Sequence, residues 1–431
     1  MLNLLDIEQG LCSELDFDAN KAKQVTDKIQ EFFTISELRI QNASADEILD
    51  ILSVLTSFKE NFVSEGKWET LVHDCLEIIR QDLYASAFES IFIFSGISHV
   101  ALIVKNLNEK MPSLESFLLT LNNILCENLN NYMNTVDYEE FLKINNFEFI
   151  YGLSGTLRYI LDFHCNKKMD NAAKKILKYF VKRSREKVIN EHKILGWHYY
   201  PLPHESQYLP IDTKNGLINY GISHGMAGPL MTMSLAYSKG VEVEGLKEAI
   251  DGLFAEYHKS AFYFDNIIHW PGRITFEQYI GEKEILQLPR QMSWCYGSLG
   301  VLRAMYLAAV YTSNDKNKNF VLQELKKIAR IDKDDYMLSL PSICHGFAGT
   351  VAVMEEMYND TKSDIFLNVA KQHMIDTIDY ILGADYQYYE PKREKRVYLY
   401  NYIEGYTGMF QIIKSFVTRG DNSHKKQLLI I

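Results

Sequence analysis

The feature of this 431-residue chain that most limits its fold is a short glycine motif that recurs along it. Gly-x-x-Gly occurs five times, and a sixth copy has a histidine in place of its second glycine. The first glycines follow one another at spacings of 49 to 73 residues. A period in this range indicates a supersecondary unit that is used repeatedly. The copies begin at Gly96, Gly152, Gly225, Gly297, Gly346 and Gly405.

The segments between the motifs have the periodicity of amphipathic helices. Residues 46–62 place five apolar side chains on one helical face, and residues 171–181 and 319–331 have the same pattern. Prolines number only nine, and alternating strand patterns are scarce. The repeated unit is therefore predicted to be a helical hairpin, and the length of the chain accommodates about seven of them. Such hairpins stack into an open solenoid or close into a ring.

Two stretches lack the helical period. Residues 197–220 and 262–288 are rich in aromatic residues, proline and glycine, and each precedes a glycine motif. We expect both to be inserted irregular segments with short strands that lie over the mouth of a central cavity in one domain spanning residues 1–431. Segments of this composition suit contact with a peptide. A packed surface lobe is the alternative.

Charge and hydropathy restrict the partners of the chain. A net charge of −11 argues against nucleic acid, whose phosphates require clustered lysine and arginine. The basic run 167–187 is a local exception that is typical of a solvated helix face, with a leader-peptide or membrane-surface contact as the alternative. Neither a signal peptide nor a membrane-spanning stretch is visible, so we expect a cytoplasmic protein.

Two cysteines and a histidine stand just before glycine motifs and form the sharpest chemical pattern. Cys295 precedes one motif, and Cys344 with His345 precedes the next. Two thiolates and one imidazole can hold a zinc ion with one coordination position open, which is typical of a catalytic site. A neutralised ion of this kind leaves an added substrate thiolate nucleophilic, so the set favours thiol chemistry. A buried cysteine or a redox pair is the structural alternative.

The remaining polar residues at this position of the repeat are less specific. His224 precedes a glycine as His345 does, but Ser223 stands where a second cysteine would match. General acid–base work is its natural role, and a histidine hydrogen-bonded between hairpins is the alternative. The other four cysteines are predicted to be small buried apolar residues; they are Cys12, Cys75, Cys126 and Cys165.

In combination, three motifs resemble those of the lanthionine synthetase C-like family, the lantibiotic cyclases. They begin at Trp294 (Trp-Cys-Tyr-Gly), at Cys344 (Cys-His-Gly-Phe-Ala-Gly) and at His224 (His-Gly-Met-Ala-Gly-Pro). The resemblance covers roughly residues 90–415. It implies an all-α fold, an α/α toroid of seven hairpins with a small inserted domain, and one zinc ion. It also implies that cysteine thiols of a peptide add to dehydroalanine or dehydrobutyrine to form thioether rings.

The resemblance also implies roles for single residues. Cys295, Cys344 and His345 would bind zinc, whose fourth position would hold water and then the substrate thiolate. His224 would act as acid or base and protonate the enolate formed by the attack. Glu148 stands where related sequences often have aspartate, and Arg290 would stabilise the enolate.

Two of these positions depart from the family pattern, as does one glycine. Arginine is common four residues before the first zinc cysteine, but Gln291 stands there and Arg290 comes one residue earlier. Glu148 is one methylene longer than the usual aspartate. His99 replaces the second glycine of the motif that begins at Gly96.

The function implied is a zinc-dependent cyclase that acts on a dehydrated precursor peptide, leader plus core. A lanthipeptide dehydratase and a peptide exporter at the membrane are the expected protein partners. Two other functions fit the same residues. A zinc enzyme could add a small thiol such as glutathione to dehydroamino acids, or a non-catalytic scaffold could carry a structural zinc with a fourth ligand such as Glu404 or Tyr296.

Overall fold

The computed structural model describes residues 2–85, 90–136, 142–201, 213–383, 387–390, 395–398 and 400–431. Residues 202–212, part of the first predicted insertion, lie outside the described residues. The chain divides into two compact units. The first comprises residues 1–89, 100–118 and 338–426, and the second comprises residues 90–99, 119–337 and 427–431.

Helices dominate the described chain. In order they are α1 (Leu5–Leu15), α2 (Ala19–Arg39), α3 (Ala45–Ser57), α4 (Glu65–Tyr84), α5 (Ile97–Asn108), α6 (Glu115–Val136), α7 (Leu153–Ile160), α8 (Lys167–Arg183), α9 (Ala227–Ser238), α10 (Leu246–Ser260), α11 (Phe276–Tyr279), α12 (Ser298–Tyr311), α13 (Asp315–Ile328), α14 (Phe347–Thr361), α15 (Asp364–Gly383) and α16 (Tyr406–Thr418). The strands are β1 (Lys187–Ile189), β2 (His192–Ile194), β3 (Leu217–Asn219), β4 (Phe262–Phe264), β5 (Ile267–His269), β6 (Arg273–Thr275), β7 (Gln387–Glu390) and β8 (Lys395–Tyr398).

In the first unit, helix α16 is the central element. It packs against α1, α3 and α14, and its side chains are buried along most of its length. Consecutive helices form the pairs α1–α2, α3–α4 and α14–α15. Helix α3 starts with a capping box between Ser44 and Glu47, which satisfies the free backbone N–H groups of its first turn.

In the second unit, three nearly apolar helices lie side by side. Helix α9 packs against both α7 and α12, and each of the three also packs against the helix that follows it, α8, α10 or α13. Every side chain from Ala227 to Ala236 of α9 is buried. The outer helix α8 instead buries one face and exposes its lysines. A helix that is apolar on all sides must be buried on all sides. An amphipathic helix such as α8 packs its apolar face on the buried helices and exposes its polar face to solvent.

The predicted β-containing insertion is confirmed. Strand β3 lies in the first predicted segment, and β4, β5 and β6 lie in the second. The two segments are joined because β3 pairs antiparallel with β6, with Asn219 opposite Arg273. Strand β3 leads directly into the loop that carries His224, so this pairing connects the second segment to that loop.

The glycine motif makes a tight turn into each buried helix. Gly297 is the N-cap of α12, and a Cβ there would lie 2.3 Å from the carbonyl oxygen of Gln291. A Cβ on Gly300 would lie 1.8 Å from the carbonyl oxygen of Trp294. Only glycine lets the loop pack so closely on the first turn of the helix. The loop that is held in this way carries Cys295.

The four cysteines outside the predicted metal site differ in burial. Cys75 and Cys126 are buried as predicted and Cys12 is half-buried, but the prediction was wrong for Cys165, which is exposed. Its position explains the exposure, because it lies in the turn just before Asn166 caps helix α8.

None of the helices in the described ranges is long and apolar enough to cross a membrane.

Candidate metal centre

Backbone hydrogen bonds connect the loops that precede the buried helices. The N–H of Phe149 donates to the carbonyl of Ser223 at 3.1 Å, and that of Ile222 donates to the carbonyl of Cys295 at 3.0 Å. All four of these residues stand two or three positions before the first glycine of their motif. The side chains that precede Gly152, Gly225 and Gly297 are therefore held at a common level by the backbone itself.

Cys295 lies in the second of these connections. It is buried, with 1% of its surface exposed, and it stands two residues before Gly297, the N-cap of α12. The hydroxyl of Ser293 lies 3.8 Å from its sulfur. The N-terminal end of a helix favours negative charge, so this position suits a thiolate.

Cys344 and His345 occupy the equivalent place before α14. The N–H of Cys344 donates to the carbonyl of Ile403 at 2.8 Å, and Gly346 is the N-cap of the helix. The side chain of His345 is 41% exposed, and its Nε2 lies 3.4 Å from Oε1 of Glu404. A carboxylate beside an imidazole can fix the orientation and the tautomer of a metal ligand.

The ligand atoms of Cys295, Cys344 and His345 all lie within 4.8 Å of one another. Two sulfurs bound to one tetrahedral zinc ion at about 2.3 Å each are about 3.8 Å apart, so this spacing fits a shared ion. The donor set of two sulfurs and one nitrogen is also one that zinc prefers. The three residues named by the sequence motif thus form a possible metal site.

His224 is paired with the residue that stands in the aspartate position. Its Nδ1 lies 2.5 Å from Oε2 of Glu148. The Glu148 carboxylate is 1% exposed and also accepts hydrogen bonds from the backbone N–H groups of Ile150 and Tyr151. The side chain of His224 keeps 32% of its surface exposed, so the ring can meet a ligand. The longer glutamate therefore still reaches the imidazole.

The electrostatics of this pair favour a protonated imidazole. Burial by itself would lower the pKa of His224, but the charge and the hydrogen bond of Glu148 outweigh it and raise that pKa. Burial also raises the pKa of Glu148, which His224 and two backbone donors oppose. His224 thus holds its proton to a higher pH than an isolated histidine does.

Two aromatic rings lie close to that of His224. The ring of Tyr151 is nearly parallel to it with centroids 6.5 Å apart, and the ring of Tyr296 lies at 6.2 Å. Tyr151 is 46% exposed, so it is not simply a core residue. The hydroxyl of Tyr296 accepts hydrogen bonds from Arg273 and, at 3.2 Å, from Asn219.

Arg290 is exposed, and its guanidinium packs on Gly272 rather than on His224. Gly272 has a φ of +74°, which favours glycine, and a Cβ there would lie 2.9 Å from Cζ of Arg290. Partial burial of the guanidinium against the protein lowers the pKa of Arg290, as does the charge of Arg273, so the two cations are close. The role predicted for Arg290 stays a prediction.

A sequence model of the family described as "Lanthionine synthetase C-like protein" matches residues 51–429. The chain belongs to this family. Its sequence is 20% identical over 422 residues to "Nisin biosynthesis protein NisC" of Lactococcus lactis subsp. lactis, with 94% of this chain and 92% of that protein covered. It is also similar to the solved structure titled "Nisin cyclase", with a TM-score of 0.79 and 17% identity. That likeness covers 95% of this chain and 98% of the solved one.

For this lanthionine synthetase C-like protein, the structural likeness confirms the predicted fold class, an all-α α/α toroid with a small β-containing insertion. The family match also extends to residue 51, beyond the roughly 90–415 expected from the motifs. Residues 51–89 contain no glycine motif, so the short motifs could not reveal this part of the match.

One residue of the site was missed by sequence reasoning. Arg273 lies in β6, and its side chain reaches the site because β6 pairs with β3. The pairing joins residues that are 54 positions apart, Asn219 and Arg273, and no local pattern predicts it. The available signal was weak, namely one arginine in an aromatic-rich segment.

Proposed function

We propose that this protein is a zinc-dependent lanthipeptide cyclase. Its substrate is a dehydrated precursor peptide in which dehydroalanine or dehydrobutyrine accompanies cysteine. The reaction adds a cysteine thiol of the peptide to the dehydro residue of the same chain and closes a lanthionine or methyllanthionine ring. The observation that carries this proposal is the cluster of two cysteines and one histidine, within 4.8 Å, in a chain of this family.

Cys295, Cys344 and His345 would hold the zinc ion in this proposal. When bound, the ion lowers the pKa of an incoming thiol and keeps it as a nucleophilic thiolate. The second half of the reaction needs a proton, because attack on the β-carbon moves the π electrons towards the carbonyl oxygen and leaves an enolate. A proton must then reach the α-carbon.

In this proposal His224 supplies that proton. Its pairing with Glu148 at 2.5 Å orients the ring and favours the protonated form. The carboxylate is buried and held by two backbone N–H groups, so it fixes the imidazole rather than moving with it. Glu148 is therefore a positioning residue, and His224 is the acid.

The substrate also implies partners. A dehydratase must act on the precursor before this enzyme does, since a dehydro residue is the electrophile. We further propose that the enzyme is cytoplasmic and meets the dehydratase and a peptide exporter at the membrane surface. Nucleic acid is not among the proposed partners, in line with the net charge of −11.

Ring formation on a dehydrated precursor tests the proposal. Cyclisation leaves the mass unchanged but removes a free thiol, so alkylation with N-ethylmaleimide followed by mass spectrometry counts the rings. We expect the wild type to close rings and Cys295→Ala, Cys344→Ala and His345→Ala to lose at least about 100-fold in rate. Cys165→Ala, an exposed cysteine away from the ligand set, is the matched control and should match the wild type.

The same experiment separates the two other functions. Added glutathione would raise the mass of the peptide by one adduct if the protein were a small-thiol transferase. A scaffold would leave every thiol open to alkylation, even in the wild type. Wild-type rates in all three ligand variants would contradict a catalytic zinc.

A further inference from the structure

A positive charge with no assigned role is held beside His224. Arg273 is half-buried, and its Cζ lies 4.3 Å from the centroid of the Tyr296 ring. A guanidinium nitrogen also donates a hydrogen bond to the Tyr296 hydroxyl. Since Tyr296 in turn lies against His224, with centroids 6.2 Å apart, the charge of Arg273 is brought close to the proposed acid.

The position of Arg273 is fixed by the backbone around it. It lies opposite Asn219 in the β3–β6 pair, and both side chains donate to the same Tyr296 hydroxyl. Asn219 is fully buried, and it also accepts from the N–H of Gly221 through its side chain and from that of Met226 through its carbonyl. The strand that locks Arg273 therefore also shapes the loop of His224.

The guanidinium has further N–H donors that can bind an anion. Arginine carries five N–H donors, and one bond to Tyr296 uses only one of them. No carboxylate in the described part of the chain forms an ion pair with Arg273, and Glu148 is already paired with His224. A half-buried cation without a counter-charge attracts negative charge that develops on a ligand.

We propose that Arg273 is the residue that stabilises the enolate, an inference that rests on the proposed cyclase function. When the C–S bond forms at the β-carbon, the π electron pair moves to the carbonyl oxygen of the former dehydro residue. The fixed charge of Arg273 faces that oxygen, while a proton passes from His224 to the α-carbon. The geometry assigns this role to Arg273 and not to Arg290, whose guanidinium packs on Gly272.

Single-turnover rates on a dehydrated precursor test this assignment. Arg273→Gln should lower the rate constant for ring closure about 100-fold while KM changes by less than about threefold, because the charge acts only on the developing oxyanion. Arg273→Lys keeps the charge and should recover about tenfold of that loss. Arg330→Gln, which removes an exposed arginine of the turn after α13, is the matched control and should stay within about threefold of the wild type. Arg290→Gln removes the competing candidate and should lose far less rate than Arg273→Gln.

Three results would overturn the assignment. These are an unchanged rate in Arg273→Gln, a loss confined to KM, or a large loss in Arg290→Gln. Circular dichroism and zinc content show whether the variants remain folded. Arg273→Met, which keeps an unbranched, flexible side chain but removes the charge, carries the test if the glutamine variant misfolds. A wild type that closes no ring would overturn the cyclase function itself and this assignment with it.

Discussion

The contact between Glu148 and His224 is kept although the glutamate side chain is one methylene longer than that of the usual aspartate. Glutamate is longer than the aspartate usual at this position, yet its carboxylate meets Nδ1 of His224 at 2.5 Å and two backbone N–H groups. The longer side chain fits because Glu148 lies in the loop before α7, where backbone donors converge on its carboxylate. The motif therefore predicts that a carboxylate lies near His224, but it does not predict the distances and hydrogen bonds of the pair.

Replacing Glu148 tests the proton-donor role of His224. In Glu148→Gln the negative charge is gone, so burial lowers the pKa of His224 and the imidazole loses its proton at a lower pH. The alkaline limb of the pH–rate profile for ring closure should move to lower pH, with the rate near neutrality about tenfold lower. Glu148→Asp keeps the charge and is the control. Identical pH profiles for wild type and Glu148→Gln would contradict the role.

The metal ligands could be predicted from sequence, whereas Arg273 could not. Cys295, Cys344 and His345 each stand one or two residues before a glycine motif, so a local pattern places them at a common level. Arg273 reaches the site through the pairing of β6 with β3, two short strands in irregular segments. Pairing between distant three-residue strands leaves almost no trace in local composition.

At the scale of elements, helical periodicity predicted where helices occur but not the residues at which they end. The pattern over 46–62 corresponds to α3, yet α3 ends at Ser57 and a 3-10 turn, Lys59–Asn61, follows. The apolar side chain of Phe58 continues the pattern past the end of the helix and is fully buried. Burial therefore extends further along the chain than the helix itself.

The turn before α12 offers a test of how the fold places Cys295. A methyl group at Gly300 would lie 1.8 Å from the carbonyl oxygen of Trp294, so Gly300→Ala must push the Cys295 loop away. We expect the free energy of unfolding to fall by about 1–3 kcal/mol and the bound zinc to decrease. Calorimetry and elemental analysis measure both.

Gly252→Ala is the matched control for this substitution. Gly252 is an exposed residue of α10 with nothing within 4 Å of its Cβ position. Alanine there should raise the stability by about 0.4–1 kcal/mol and leave zinc unchanged. Equal effects of the two substitutions would mean that the turn does not position the ligand.

At the scale of the whole molecule, buried neutral histidines determine how stability depends on pH. Burial lowers the pKa of His99, His198 and His269 to about 4, and that of His424 to about 3. The unfolded chain therefore binds more protons below about pH 6.5 than the folded one. Stability should fall as the pH drops from about 6.5 towards 4.

Burial also raises the pKa of Asp46, Asp50 and Glu148, and these carboxyls act in the opposite direction. Burial raises the pKa of Asp50 to about 8, so the folded state binds its proton more tightly and this residue favours folding as the pH falls from about 8 to 4. The four histidines outweigh these carboxyls below pH 6.5, so the midpoint of thermal unfolding should decrease on acidification. A midpoint that rises between pH 6.5 and 4.5 would contradict this account.

The metal content of the purified protein tests the central claim most directly. Inductively coupled plasma mass spectrometry should find about one zinc per chain in the wild type and in Cys165→Ala. Cys295→Ala, Cys344→Ala and His345→Ala should each retain far less zinc, with unchanged helical circular dichroism. Zinc at the wild-type level in all three ligand variants, or a wild type without zinc that still closes rings, would contradict the account.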